Sequence, residues 1–338
     1  MDLQMPMHPR GADDCPYDQP LSTAFRASGR RAEGDYRMFS HLLALSPIQQ
    51  SLLKIDITSG ESSTLVDGLP DGPDGIVVDP DRKYVYWTNM GAPGLPEGRT
   101  PKTDDDLDFY RKNGSLERVG MDGTGRTYIR PVGSFVTGKQ LAGAWSTGRL
   151  YWSDREGAAV RSARLDGTDQ RDEVVVATAE ADRRIERNQC VGVAVDEQQG
   201  LLYWTQKGPA NGNDGRILRT SLNAPVDERQ IEVLWSELPE PIDLELDLDT
   251  NTMYWTDRGD PPRGNTLNKA AIPAVGQPGG DVIVVAANYH EAIGLAVDAE
   301  AGVVYVSDLS GQLRAVRLDG SGEQLVFKGK PLTGIAGV

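Results

Sequence analysis

Short apolar stretches separated by turn signals follow one another along the chain. An apolar stretch such as "AIGLAVD" (292–298) leads through a turn to a stretch containing tyrosine, and "GQLRAVRLDG" (311–320) and "QLVF" (324–327) follow. Asp319-Gly320 marks a tight hairpin, because glycine accepts the positive φ that such turns demand. This pattern of short runs bounded by turn residues predicts units of four β-strands.

One four-residue run recurs inside these units. The steps between its successive first tyrosines are 65, 52, 51 and 51 residues. A period near fifty residues with several strands inside it predicts the four-stranded blades of a β-propeller. The five copies are Tyr86-Trp87-Thr88-Asn89, Tyr151-Trp152-Ser153-Asp154, Tyr203-Trp204-Thr205-Gln206, Tyr254-Trp255-Thr256-Asp257 and Tyr305-Val306-Ser307-Asp308.

The two ends of the sequence predict one more blade between them. The stretch "PLTGIAGV" (331–338) resembles a first strand with nothing after it. Near the N-terminus, three strand-like stretches (37–46, 51–60 and 63–69) have no first strand before them. Joining them predicts an all-β, six-bladed propeller over residues 36–338, which removes exposed strand edges at the seam. Residues 1–35, rich in proline, glycine and aspartate, are expected to form a flexible tail.

The five runs resemble the YWTD repeats of the low-density-lipoprotein-receptor type of six-bladed propeller, over residues 36–338. The resemblance implies that fold and leaves function open, because one fold hosts many functions. Receptor members of that family are secreted, are flanked by cysteine-rich modules and bind protein ligands. The sequence shows no such module and no secretory signal, so a receptor role is not expected.

The net charge and the composition argue against several classes of binding partner. The net charge is −15 and no basic stripe is present, which argues against nucleic acid as a partner. No apolar run reaches the roughly 18 residues of a membrane span, so no membrane partner is expected. With only Cys15 and Cys190 available, a structural disulfide is not expected either. A reducing, cytoplasmic location is the prediction, and the oligomeric state stays open.

Most recurring residues are predicted to be scaffold. The tryptophans of the runs are expected to pack between blades. Four aspartates stand seven residues before a run's tyrosine, where a turn or strand-end hydrogen bond is expected. These are Asp79, Asp196, Asp247 and Asp298.

Asp243 and Glu245 depart from the repeat. The position of Asp243 is glycine in other first strands, and that of Glu245 is alanine or valine. Because first strands line the channel and positions two apart share a face, both side chains are expected near the axis. Crowded, partly desolvated carboxylates have raised pKa values, as a general acid or proton shuttle needs. The alternatives are contact with channel water, or an ion pair with Lys139 or Arg258.

A long insertion follows the first run, at residues 90–116. It falls between a second and a third strand, on the face where propeller pockets usually open, and predicts a lid with Phe109 and Tyr110 as apolar contacts. A solvated excursion is the alternative. Further polar residues at first-strand entrances are expected to face the same mouth. The predicted site comprises Asp243, Glu245 and His290 as catalytic residues, and Asp74, Gln140, Asn188, Gln189, Tyr289, Glu291, Arg258, Phe109 and Tyr110 as substrate-binding residues. An exposed loop histidine with no role is the alternative for His290.

Three functions remain open. The sequence shows no Ser/His/Asp spacing, phosphate loop or Cys/His metal cluster, so no cofactor and no metal are expected. The first hypothesis is a cofactor-free small-molecule enzyme. The chain resembles the fungal hetero-Diels–Alderases of tropolonic sesquiterpenoid biosynthesis. That resemblance implies a pericyclase of terpenoid secondary metabolism, which joins a tropolone-type quinone methide to a humulene-type alkene. The second is a protein-binding scaffold. The third is a metal-dependent, gluconolactonase-like hydrolase using Asp243, Glu245 and Asn188.

Overall fold

The prediction of six four-stranded blades is confirmed. The computed structural model describes residues 38–81, 83–94 and 107–338, and these form six antiparallel sheets of four strands each. The tail predicted at residues 1–35 lies outside the described residues. So do residues 95–106 of the insertion, which otherwise lies between a second and a third strand as predicted.

The first three complete blades follow one another along the chain. Each begins with its innermost strand and ends with its outermost. Their strands are β4 (Pro73–Val78), β5 (Tyr84–Asn89), β6 (Gly114–Gly120) and β7 (Thr127–Phe135) in blade 1; β8 (Gly138–Ala144), β9 (Arg149–Asp154), β10 (Ala159–Arg164) and β11 (Arg171–Val175) in blade 2; and β12 (Cys190–Asp196), β13 (Leu201–Gln206), β14 (Gly215–Ser221) and β15 (Glu232–Leu238) in blade 3.

Two further complete blades and a composite blade close the ring. In blade 6 the last strand of the chain pairs with the first, with Leu43 opposite Ala336. The strands are β16 (Pro241–Asp247), β17 (Thr252–Asp257), β18 (Thr266–Ala271) and β19 (Ile283–Ala286) in blade 4; β20 (Ala292–Asp298), β21 (Val303–Asp308), β22 (Gln312–Arg317) and β23 (Glu323–Lys328) in blade 5; and β24 (Ile335–Gly337), β1 (His41–Ser46), β2 (Ser51–Asp56) and β3 (Ser62–Asp67) in blade 6.

The innermost strands β4, β8, β12, β16, β20 and β24 contact one another in that order, and β24 returns to β4. They therefore surround the central axis, as the sequence predicts. Helix is nearly absent from the described residues. One short α-helix, α1 (Glu180–Arg183), and two 3-10 turns, Glu186–Asn188 and Val226–Glu228, lie in connections between strands.

In the four runs that contain tryptophan, the tyrosine and the tryptophan pack against opposite neighbours. Adjacent residues of a strand point to opposite faces, so the tyrosine of one blade meets the tryptophan of the next. Tyr86 shares a buried cluster with Trp152, and Tyr203 shares another with Trp255. All four tryptophans of the runs are at most 1% exposed. The predicted scaffold role of these tryptophans is confirmed.

The third residue of the run joins neighbouring blades by hydrogen bonds. Five inner strands carry a β-bulge near their start, and in four of them the N–H of the second bulge residue donates to the hydroxyl at the third position of the run. In blade 4, Asp243 N donates to Thr256 Oγ1 at 3.1 Å, and that hydroxyl donates to the Ile293 carbonyl of blade 5 at 2.6 Å. Thr205 and Ser307 make the same pair of contacts in their own blades. The repeated hydroxyl therefore links each of these bulges to the following blade.

The aspartates seven residues before the tyrosines hold turns, as predicted. Asp247 accepts the N–H of Thr250 at 3.2 Å, and Asp298 accepts that of Ala301 at 3.0 Å. At the run's fourth position, Asp257 accepts the N–H groups of Glu240 and Gly259. This fixes the entrance to the inner strand, where the channel opens.

Candidate functional site

A cavity of about 970 Å³ opens at the end of the channel where the inner strands begin. Its wall is formed by the residue that follows the second strand in every blade, which in five of the six blades comes immediately after the fourth position of the run. In order around the ring these six residues are Met90, Arg155, Lys207, Arg258, Leu309 and Pro47. Among them, sequence reasoning named only Arg258 as a candidate. The signal was available, because the position after each run can be compared across blades.

The floor of the cavity comes from the bulges of the inner strands. A bulge re-aims its side chains, and the first bulge residues Asp74, Lys139 and Ile293 line the cavity together with Thr333, which precedes β24. Lys139 of blade 2 forms a buried ion pair with Asp74 of blade 1, and its Nζ lies 3.4 Å from Met90 Sδ. Burial lowers the pKa of Lys139, while the Asp74 carboxylate opposes that shift. The predicted site residue Asp74 therefore faces the cavity.

A second buried charge cluster lies under blades 3 and 4. The Glu240 carboxylate is shared by two cations, with Lys207 Nζ at 3.3 Å and Arg258 at 2.8 Å. Burial lowers the pKa of Lys207, and the nearby positive charges of Arg258 and Arg155 act in the same direction. Arg258 also reaches Glu291 at 3.5 Å. The structure thus places predicted residue Arg258 in the wall and Glu291 beside it, at the exposed rim.

The described part of the insertion forms the remaining wall. Phe109 and Tyr110 both line the cavity, as does Gln189. The Phe109 carbonyl accepts the Thr137 hydroxyl at 2.9 Å, and Gln189 Nε2 donates to the Tyr110 hydroxyl at 3.2 Å. The Arg184 guanidinium lies 4.0 Å from the centre of the Tyr110 ring. These contacts fix the two aromatic residues against blades 2 and 3.

Asp243 and Glu245 lie next to the axis but do not line this cavity. Asp243 Oδ2 accepts the N–H of Leu295 at 3.2 Å, and Glu245 Oε2 accepts that of Val297 at 2.9 Å, both in blade 5. Burial raises the pKa of Glu245 to about 7. Burial, and then the neighbouring Glu245 charge, raise the pKa of Asp243 well above its usual range. The raised pKa values match the sequence expectation, whereas the hydrogen-bond partners are backbone groups. A catalytic role for the two acids stays a prediction.

The other predicted residues are dispersed. Tyr289 does not face the mouth: it is 3% exposed and packs with Leu267 and Val304, with the Arg314 guanidinium 3.5 Å from its ring centre. The side chain of His290 is 70% exposed and, like that of Gln140, lies outside the cavity lining. A residue near a strand entrance can point inward or outward, and the sequence did not tell which.

The third hypothesis, a metal site formed by Asp243, Glu245 and Asn188, stays a prediction. Asn188 donates to the Asp182 carbonyl at 2.9 Å, within the connection before β12. Across the described residues, no group of three or more His, Cys, Asp or Glu side chains is arranged to hold a metal ion. Within the same residues, no helix has the length and apolar character to cross a membrane.

Comparison with known proteins places the chain. No protein-family model matches it. A protein of Pyricularia oryzae (strain 70-15) named low-density lipoprotein receptor-related protein 1 is 44% identical over 276 residues, covering 78% of this chain and 84% of the relative. The chain belongs to the family of that protein.

A second relative of the chain is longer. The 3-hydroxyacyl-CoA dehydrogenase-like protein LAM1 of Cochliobolus heterostrophus (strain C4) is 36% identical over 283 residues, covering 78% of this chain and 56% of the relative. The chain thus spans little more than half of that protein. Among solved structures, a chain of the nidogen/laminin complex superposes with a TM-score of 0.67 at 18% identity, covering 88% of this chain and 97% of that one. At that identity the likeness shows the fold alone.

Proposed function

We propose that this propeller is a cofactor-free small-molecule enzyme that works at the channel mouth. The observation that supports the proposal best is the cavity of about 970 Å³ with one charged and one apolar side. Ligand pockets usually measure about 300–1,000 Å³ and combine apolar walls with a few convergent polar groups. This cavity has that size and that mixture.

In its most specific form the proposal is a hetero-Diels–Alderase. A hydroxymethyl tropolone-type precursor loses its hydroxyl group and one proton as water and becomes a quinone methide. The quinone methide adds across an alkene of a humulene-type partner, forming one C–C and one C–O bond with no net oxidation or reduction. The protein would hold the two partners in reacting geometry, which removes much of the entropic barrier of a two-molecule reaction.

The cavity supplies groups for each step. Asp74 and Lys139 form a buried ion pair that lines the floor, and in this proposal the pair also helps to move the proton that leaves with the hydroxyl group. Phe109, Leu309 and Met90 offer apolar surface for a hydrocarbon partner. Asp243 and Glu245, whose carboxylates accept backbone hydrogen bonds from β20, remain the proposed residues for moving protons during the dehydration.

The test is to incubate the purified protein with such a precursor pair and to follow product formation and its stereochemistry. The proposal expects faster formation of the adduct and an excess of one stereoisomer over the reaction without protein. An unchanged rate with a racemic product would exclude the specific reaction. Heat-unfolded protein serves as the control for non-specific acceleration by apolar surface.

A further inference from the structure

The cavity wall is divided into two halves by the identity of one repeated position. The residue after the run is basic in three consecutive blades, as Arg155, Lys207 and Arg258. In the three other consecutive blades it is apolar, as Leu309, Pro47 and Met90. All six residues occupy the same place in their blades and line one cavity. The two halves therefore face each other across the channel mouth.

The basic half holds four cations, two of them buried and two partly exposed, against three buried carboxylates. Lys139 adds a fourth cation to the three in the wall, and the carboxylates packed against them are Asp74, Glu156 and Glu240. Glu240 serves two cations at once. The remaining charged lining residues, Asp108, Arg184 and Glu186, lie nearer to solvent, where charges are screened and contribute little. Over the whole lining, with Glu240 counted, five cations and five carboxylates balance, so the surplus of one positive charge belongs only to the inner part of the basic half.

Two carboxylate oxygens in the basic half still have capacity to accept hydrogen bonds. Asp74 Oδ1 and Glu156 Oε2 are buried and accept no hydrogen bond from the described residues. Both residues line the cavity. A buried acceptor without a donor costs free energy that a ligand hydroxyl can recover. Burial also lowers the pKa of Lys139 and Lys207, and an anion placed between these amines would oppose that shift.

We infer that the cavity binds amphipathic small acids that carry a hydroxyl group. The ionised oxygens of the ligand lie against Lys139, Lys207 and Arg258, its hydroxyl donates to Asp74 or Glu156, and its apolar body lies against Met90, Leu309 and Phe109. This inference rests on the proposed function in placing the substrate in this cavity. It adds the chemical class of that substrate: an acidic, oxygenated head on a hydrocarbon body.

A matched pair of fluorescent probes tests the division into halves. The probe 8-anilinonaphthalene-1-sulfonate is an anion with an aromatic body, and N-phenyl-1-naphthylamine has the same body without the charge. The inference expects the anion to bind at one site, about tenfold more tightly than the neutral probe, and to weaken as salt rises. Equal affinities for the two probes, or binding of the anion that salt does not change, would overturn it.

Single substitutions locate the binding. Lys207→Gln and Arg258→Gln are each expected to weaken the anionic probe about tenfold and to leave the neutral probe unchanged. Either variant leaves Glu240 one cation, so the fold is retained, and the melting temperature checks this. Leu309→Ala is expected to weaken both probes. Arg171→Gln, at an exposed ion pair with Asp169 on the outermost strand of blade 2, is the control and should change neither. An anionic probe that binds Lys207→Gln and Arg258→Gln as tightly as the original protein would overturn the inference.

The proposed reaction and the acid-binding inference can each be disproved without the other. Turnover of the tropolone-type pair by a protein that does not prefer the anionic probe overturns the acid-binding inference and leaves the reaction standing. Charge-dependent binding of the probe without any effect on the reaction overturns the reaction and leaves the acid-binding site standing.

Discussion

Glu245 Oε2 in blade 4 accepts the backbone N–H of Val297 in blade 5 at 2.9 Å. Most other inner strands carry alanine at the position of Glu245, which cannot make this bond. Asp243 does the same for Leu295, from a position that is glycine in four of the six blades. The two carboxylates therefore tie one inner strand to the next, at the cost of burying acidic groups near each other.

That cost predicts a pH-dependent stability. The pKa of Glu245 rises from 4.5 to about 7 on folding, so the folded protein binds the proton more tightly than the unfolded chain. The penalty is absent below about pH 4.5, grows between 4.5 and 7 and is complete above 7. Glu245→Gln keeps an acceptor for Val297 and cannot ionise. The free energy of unfolding of the variant should therefore exceed that of the original protein by about 1–3 kcal/mol at pH 8, and the two should differ little at pH 4.5.

Urea unfolding at the two pH values measures this difference. Glu300→Gln, at an exposed turn residue, is the matched control and should show no such trend. A Glu245→Gln effect of the same size at both pH values would show that ionisation of this carboxyl is not the cause.

Substitution of Thr256 measures how much its hydroxyl, which links two blades, contributes to the free energy of unfolding. Its Oγ1 lies between Asp243 N and the Ile293 carbonyl. Thr256→Val preserves the shape and leaves both backbone groups unpaired, so the free energy of unfolding should fall by about 1–3 kcal/mol. Thr256→Ser retains the hydroxyl and should lose clearly less. Equal losses for the valine and serine variants would assign the effect to packing instead.

The sequence predicts the fold well because its repeat is dense in local information. The tryptophans of the runs and the turn aspartates each recur in several blades, and their packing and hydrogen bonds confirm the predicted roles. The two ends also pair as predicted, through Leu43 and Ala336. Six blades and a closed ring follow from counting these features.

The site is predicted less completely, for physical reasons. The Asp74–Lys139 pair joins residues of different blades, and only the relative placement of neighbouring inner strands brings them together. Tyr289 shows the opposite error, since a polar ring near a strand entrance packs inside blade 5. The basic half of the wall could have been predicted from the position after each run, which holds Arg155 and Lys207. That prediction requires comparing this position with the apolar residues at the same place in the other blades.

Substitution of Gly192 tests how closely the inner strands of blades 3 and 4 approach each other. A Cβ atom there would collide with the Ile242 carbonyl oxygen of the next blade and lie 3.2 Å from Asp243 Cα. Gly192→Ala should therefore lower the free energy of unfolding by about 1–3 kcal/mol, because the two strands must separate. Gly322→Ala, at an exposed position with no atom within 4 Å, is the control and should change stability little. Thermal unfolding of the two variants compares them, and a Gly192→Ala protein as stable as its control would contradict the close approach.

Substitution of Phe109 tests how much the insertion contributes to binding of the apolar substrate partner. Its ring lines the cavity and its carbonyl is held by Thr137. Phe109→Ala should raise KM for the apolar partner several-fold, since about 1–2 kcal/mol of apolar contact is lost. The kcat should change less, and Tyr128→Ala, at an exposed tyrosine on blade 1, should change neither constant. Steady-state kinetics separate the two constants, and an unchanged KM in Phe109→Ala would remove this residue from the binding wall.

The central claim is that the reaction takes place in the cavity at the channel mouth, and filling that cavity tests it most directly. Leu309→Trp places a bulky ring in the wall, whereas Val275→Trp adds the same ring at a position that is 60% exposed and outside the cavity lining. The measurement is the rate and stereoisomer ratio of adduct formation by the two folded variants. We expect Leu309→Trp to lose most of the acceleration and the stereoisomer excess, and Val275→Trp to keep both. Full activity in Leu309→Trp would contradict the claim.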